Sequence, residues 1–249
     1  MSGGEVVLVA ELVAAGATYG WAAGRVRRWP ARRCAAFAGG LAVVAAALVG
    51  LDAPAHRSLG AHMAQHVLLV FGAAPLLVLG SPVALALRAT GGRARHALGL
   101  GPLAHPAFGL AALAVVMAGT HFTGVFAAAL AHPALHAAEH VAYLGAAALF
   151  WRPVLGADPV PGRPGPVGRL LYLMLASGPL SLVGVAMDAS RRPWYAAYPS
   201  LSDQHTAGAI MWVGGGLALA AITVAAVWAA LQREHRRRLE YERRMEAAA

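Results

Sequence analysis

Long apolar runs separated by short arginine-bearing segments dominate this chain, and their lengths predict helices rather than strands. An apolar stretch of about 20 residues covers a hydrocarbon core about 30 Å thick. Seven runs of that order can be drawn, over residues 6–24, 34–51, 61–87, 103–130, 133–151, 169–187 and 205–231. The first carries Glu11 within it. Pro75 and Pro179 are expected to kink the third and sixth, which membrane helices tolerate where neighbours satisfy the freed carbonyls. The pattern predicts an all-α, polytopic membrane protein: a seven-transmembrane helix bundle over residues 1–231, followed by a charged cytoplasmic tail at 232–249.

Composition sharpens this picture. Only 12% of the 249 residues are charged, against about a quarter in a soluble domain, so the bilayer is the expected partner. The net charge of +9 would suit nucleic acid, but the basic residues, all 20 of them Arg, fall in clusters between apolar runs. Membrane topology explains such clusters, and no nucleic-acid partner is expected. Arg25, Arg27, Arg28, Arg32 and Arg33 lie in the first loop, Arg88, Arg93 and Arg95 in the third, and Arg152, Arg163 and Arg169 in the fifth. The tail carries Arg233, Arg236, Arg237, Arg238, Arg243 and Arg244, whereas the opposite side has only Arg57, Arg191 and Arg192. The asymmetry predicts the N-terminus outside and the C-terminus in the cytoplasm. The lone Cys34 excludes an intramolecular disulfide and any CxxC motif. The first residues carry Glu5 and Glu11 without a basic segment, so no cleaved signal peptide is expected.

Ionisable residues inside spans are costly and point to function. With the topology assigned, eight of the 11 histidines collect toward the outer face, leaving His96, His105 and His235 on the cytoplasmic side. His62 and His66 are spaced i, i+4 and so leave one helix face a turn apart, and His136 and His140 repeat the arrangement on the fifth span. Two such pairs, with His121 at the same depth, can supply four imidazoles to one metal centre or two to each of two centres. Neutral imidazole suits Cu, Zn, Fe or Ni, and a thioether from Met211 or Met187 would bias the site toward Cu(I). Glu139 and Asp203 can ligate or orient a ligand histidine, with Gln204 and His205 alongside. Trp151, Trp194, Tyr195, Tyr198 and Trp212 are expected in an interfacial aromatic belt.

Several of these segments resemble a known family. His62-Met63-Ala64-Gln65-His66, with Val67-Leu68-Leu69 and Ala74-Pro75-Leu76-Leu77 after it, is similar to the third helix of the seven-helix CtaG family. These are bacterial membrane proteins concerned with assembly of caa-type cytochrome c oxidase. The resemblance continues through Gly80-Ser81-Pro82, His105-Pro106, His121, His136-Ala137-Ala138-Glu139-His140 and the run from Asp203-Gln204-His205 to Met211-Trp212. It implies a role in oxidase maturation concerning copper, and carries over His62, His66, His121, His136, Glu139, His140, Asp203, Gln204 and Met211. Residues and resemblance together lead to one expectation. The chain is a non-enzymatic copper-binding assembly factor of the bacterial cytoplasmic membrane, holding or delivering copper at the non-cytoplasmic face. Its partner would be an oxidase subunit carrying a copper site. The alternatives are a haem-b electron-transfer protein ligated by histidines of two helices, a copper transporter, and a metal-dependent membrane enzyme using Glu139 as general base.

Overall fold

The computed structural model describes residues 3–93, 105–155 and 158–246. Arg95, His96 and the expected start of the fourth span at Leu103 lie outside the described residues. The described elements are helical throughout. Helix α1 (Gly3–Arg25) is followed by α2 (Ala31–Ala45), which ends in a π-helical turn, Ala46–Gly50. After the short α3 (Asp52–Ala55) come α4 (Leu59–Val67), a second π turn (Leu68–Ala73), α5 (Ala74–Leu79) and α6 (Pro82–Ala89). The chain continues as α7 (Pro106–Phe122), α8 (Val125–Ala131), α9 (Pro133–Leu155) and α10 (Pro166–Asp188). Helix α11 (Leu201–Ala209), a third π turn (Ile210–Gly214) and α12 (Gly215–Glu246) complete it.

Five helical segments among the described residues are long and apolar enough to cross a membrane: Gly4–Arg25, Ala31–Gly50, Leu59–Ala89, Pro166–Asp188 and Leu201–Glu246. The pair α7 and α8 makes a sixth if its two parts are one span. The protein is therefore an all-α polytopic membrane protein. The sequence expectation of seven also counts α9. That helix has 23 residues, enough for roughly 34 Å, but His136, Glu139, His140 and Arg152 lower its hydropathy. Its Glu139 and Arg152 are buried inside the bundle.

The expected single run at 103–130 is broken. Helices α7 and α8 meet at an angle of 72°, because Thr123 leaves the helix with an extended backbone. Its Oγ1 donates to the Gly119 carbonyl and accepts from Val125 N–H, which fixes the corner. The bend turns α8 back so that Phe126 is fully buried. Pro75 sits in the first turn of α5, just after the π turn 68–73, whereas Pro179 is absorbed within the continuous α10. The final helix runs on as an exposed rod, where Glu234 and Arg238 pair one turn apart.

Two close approaches, one at each end of the bundle, set the helix positions. A Cβ at Gly109 would lie 2.6 Å from the Leu149 carbonyl oxygen, so α7 and α9 touch backbone to backbone there. A Cβ at Gly208 would lie 2.6 Å from the Gly184 carbonyl, which brings α10 and α11 equally close. Small residues at such crossings let membrane helices pack by dispersion where no hydrophobic drive exists. On α1, where Gly16, Gly20 and Gly24 are spaced by four, a Cβ at Gly16 would meet Leu41 of α2 at 3.4 Å, while one at Gly20 or Gly24 would meet nothing within 4 Å among the described residues. Glu11 is exposed on α1.

Candidate metal centre

The site is built at the start of α4. Ser58 caps this helix through the Ala61 N–H, and a carboxylate from α11 completes the cap. Asp203 accepts from Ser58 Oγ at 2.8 Å, from Leu59 N–H at 2.6 Å and from Gly60 N–H at 3.1 Å. Negative charge at a helix N-terminus satisfies orphan N–H groups and complements the macrodipole. Both Asp203 oxygens are thus engaged in holding α4 to α11. The neighbouring residues do related work. Gln204 accepts from Trp194 N–H and donates to the Met187 and Arg192 carbonyls, and His205 Nε2 donates to the Ser190 carbonyl. The Asp203-Gln204-His205 run therefore fixes α4 and the 189–200 loop.

With α4 so anchored, His62 and His66 point into the bundle, both 1% exposed. His136 and His140 approach from α9. His62 Nε2 and His136 Nε2 lie 3.3 Å apart, and ligand atoms of His62, His136 and His140 all fall within 4.8 Å of one another. The His136 and His140 rings are 4.4 Å apart between centroids, and the His62 and His136 rings 5.0 Å. Three imidazoles from two helices converge on one point.

The tautomer of His62 follows from its other nitrogen. Tyr198 Oη donates to the Ala55 carbonyl at 2.7 Å. Burial, with Asp203 and Glu139 adding to it, pushes the Tyr198 pKa up to about 12, so this phenol keeps its proton. Its one hydrogen is committed, so Tyr198 Oη accepts at 3.1 Å from His62 Nδ1–H. A neutral imidazole protonated at Nδ1 leaves the Nε2 lone pair free, and that lone pair faces His136. A ring nitrogen held by an outer hydrogen bond while the other is presented is the usual arrangement of a metal-binding histidine.

Around these rings lie buried polar atoms without a partner among the described residues: both ring nitrogens of His66, both carboxylate oxygens of Glu139, and His140 Nε2. Leaving one such atom unsatisfied costs about 1–3 kcal/mol. Their concentration on α4 and α9 fits a donor set that a cation completes. The walls are apolar and aromatic. Phe126 packs on His62 at 4.9 Å and stacks on His121 at 5.5 Å, while Tyr143 stacks on His66 at 4.3 Å.

The other residues expected at the site fall elsewhere. His121 is buried beside His66, with ring centroids 5.9 Å apart, but is not among the three converging histidines. Met211 lines an apolar cavity of about 340 Å³ with Phe71, Leu173, Leu180 and Leu219. Met187 is buried in the core, where its carbonyl receives Gln204. Three residues escaped the sequence reading. Tyr198, expected in an aromatic belt, is buried and orients His62. Tyr143 shares a face of α9 with His136, Glu139 and His140 by its i+7, i+4 and i+3 spacing, a signal legible in the sequence. Met63 is fully buried against His121.

The fold and site define an all-α polytopic membrane protein carrying a buried histidine cluster. The chain belongs to the cytochrome c oxidase caa3 assembly factor (Caa3_CtaG) family, whose pattern matches residues 17–233. It is also 27% identical over 252 residues to an uncharacterised protein of Mycobacterium leprae (strain TN), covering 87% of this chain and 38% of that protein. An uncharacterised protein of Mycobacterium bovis (strain ATCC BAA-935 / AF2122/97) is 30% identical over 249 residues, 88% of this chain and 37% of that protein. The chain thus spans less than two-fifths of the length of these relatives. No solved structure matches it. The family is described by an assembly role rather than by a reaction.

Proposed function

We propose that this protein binds copper as cargo through His62, His136 and His140, and holds it for, or delivers it to, a cytochrome c oxidase subunit carrying a copper site. The observation that carries the reading is the convergence of three imidazole nitrogens within 4.8 Å, one of them with its lone pair freed by Tyr198. Imidazole suits copper among the first-row metals, and the family is described as assembling a cytochrome c oxidase, the acceptor this reading assigns to the copper. His66 and Glu139 stand ready to complete the shell. The arginine distribution supports an N-terminus outside and the site at the non-cytoplasmic face of a bacterial cytoplasmic membrane. The role is non-catalytic. The direct approach of His62 to His136, 3.3 Å, favours a small ion over a haem plane between α4 and α9.

The test is copper content of the detergent-purified full chain after loading, with an absorbance spectrum, for wild type and a His62→Ala/His136→Ala double variant. Copper retained by wild type and lost from the variant, without a Soret band, supports the reading. Equal copper in both proteins, or a Soret band, overturns it. In cells lacking the wild-type protein, the same variant should leave the oxidase short of copper.

A further inference from the structure

A second group of donor atoms lies beside the three converging histidines. Met63 follows His62 on α4, and its Sδ lies 3.3 Å from His121 Nε2. Both residues are buried, Met63 completely. The proton of His121 can be located from its other nitrogen. Nδ1 lies 3.0 Å from the Met117 carbonyl oxygen, which has no proton to give. Thr120 Oγ1 at 2.9 Å and Tyr143 Oη at 3.0 Å also face Nδ1; with Thr120 donating to the Val116 carbonyl at 2.8 Å and Tyr143 donating to Thr120 at 2.6 Å, both hydroxyls turn a lone pair, not a proton, toward Nδ1. Nδ1 therefore carries the imidazole proton, and Nε2 presents a lone pair to the thioether sulfur.

A lone pair facing a lone pair at contact distance is unfavourable unless a cation lies between them. A thioether paired with neutral imidazole in a buried, apolar setting selects a soft monovalent ion such as Cu(I) over Zn(II) or Cu(II). His66 supplies a third donor. Both its nitrogens lack a partner, and its ring is 5.9 Å from that of His121 and 4.9 Å from that of His62.

We propose that Met63, His121 and His66 form a second, fully buried Cu(I) site, distinct from the half-buried His62, His136 and His140 site and joined to it through His66. The inference rests on the copper reading above for the identity of the ion. It adds the oxidation state and a storage position shielded from oxidants, and His66 gives the ion a ligand common to both positions. No redox step is involved: Cu(I) enters as Cu(I), and the imidazoles bind as neutral ligands.

The test uses the full chain in detergent, loaded anaerobically with Cu(I), with copper counted by elemental analysis and its ligands read by X-ray absorption at the copper edge. Wild type should hold two equivalents and show a sulfur scatterer. Met63→Leu, close in volume, should lose the sulfur scatterer and one equivalent. His136→Ala should lose one equivalent yet keep the sulfur scatterer. Selenomethionine-labelled wild type, with no substitution to disturb folding, should show a copper–selenium contact. Copper bound through nitrogen alone, or a sulfur scatterer that survives in Met63→Leu, overturns the second site while leaving the first. Absence of copper from wild type overturns both.

Discussion

Tyr198 Oη accepts a hydrogen bond from His62 Nδ1 at 3.1 Å while donating to the Ala55 carbonyl at 2.7 Å. The loop residue thus decides which nitrogen of a helix residue is offered to an ion. Removal of the hydroxyl frees His62 to rotate or to adopt the other tautomer. Outer-shell partners of ligating histidines are worth about 10–100-fold in metal affinity. Tyr198→Phe is therefore expected to weaken copper binding by roughly that factor with the helical content unchanged. Competition against a copper chelator measures it, and wild-type affinity in the variant would show that the hydroxyl has no such role.

Asp203 distinguishes a cap from a ligand. Its oxygens receive Ser58, Leu59 and Gly60 at the start of α4. Asp203→Ala should destabilise the protein by about 2 kcal/mol, the upper range for loss of a helix cap, seen as a lower unfolding temperature in detergent. Asp203→Asn, which keeps one acceptor oxygen, should be intermediate and retain copper. Loss of copper in Asp203→Asn at unchanged stability would instead make the carboxylate a ligand.

The crossing of α7 and α9 offers a matched pair of substitutions on one helix. A Cβ at Gly109 meets the Leu149 carbonyl at 2.6 Å, whereas one at Gly119 meets nothing within 4 Å. Gly109→Ala should cost about 1–3 kcal/mol by overpacking and lower copper affinity, since α9 carries His136 and His140. Gly119→Ala should be near neutral. Thermal unfolding and copper titration of the two variants compare them directly, and equal behaviour would mean the crossing does not position the site.

Asp158 gives a pH dependence outside the membrane spans. It accepts from Ala84 N–H at 2.7 Å, capping α6 from the loop before α10. Burial raises its pKa, only partly offset by that N–H and by Arg152. A carboxyl raised in the folded state contributes most to stability below its unfolded pKa, about 3.9, and loses that contribution as pH rises through the folded value. The stability of wild type relative to Asp158→Asn should therefore fall between acid and neutral pH. A difference that stays constant, or grows with pH, contradicts this assignment.

Much of the architecture was legible in the sequence. Apolar runs of about 20 residues and their Arg-rich connectors define an all-α membrane protein because a bilayer admits little else. The i, i+4 spacing of His62 with His66 and of His136 with His140 put both pairs on single helix faces, since helical periodicity is a local property. The run at 103–130 misled because hydropathy does not register the 72° corner that Thr123 makes. Asp203, Gln204 and His205 read as site residues by their chemistry, yet their hydrogen bonds hold α4 and the loop before α11.

Composition and periodicity determined by themselves that this chain crosses a membrane and carries histidines on two helix faces. Only the tertiary structure decided that His62, His136 and His140 meet, that Tyr198 orients one of them, and that Met63 faces His121. The reason is geometric. Spacing along one helix fixes a side chain's direction on that helix, whereas the rotation of one helix against another depends on contacts far apart in sequence, such as Gly109 on Leu149 and Asp203 on Leu59.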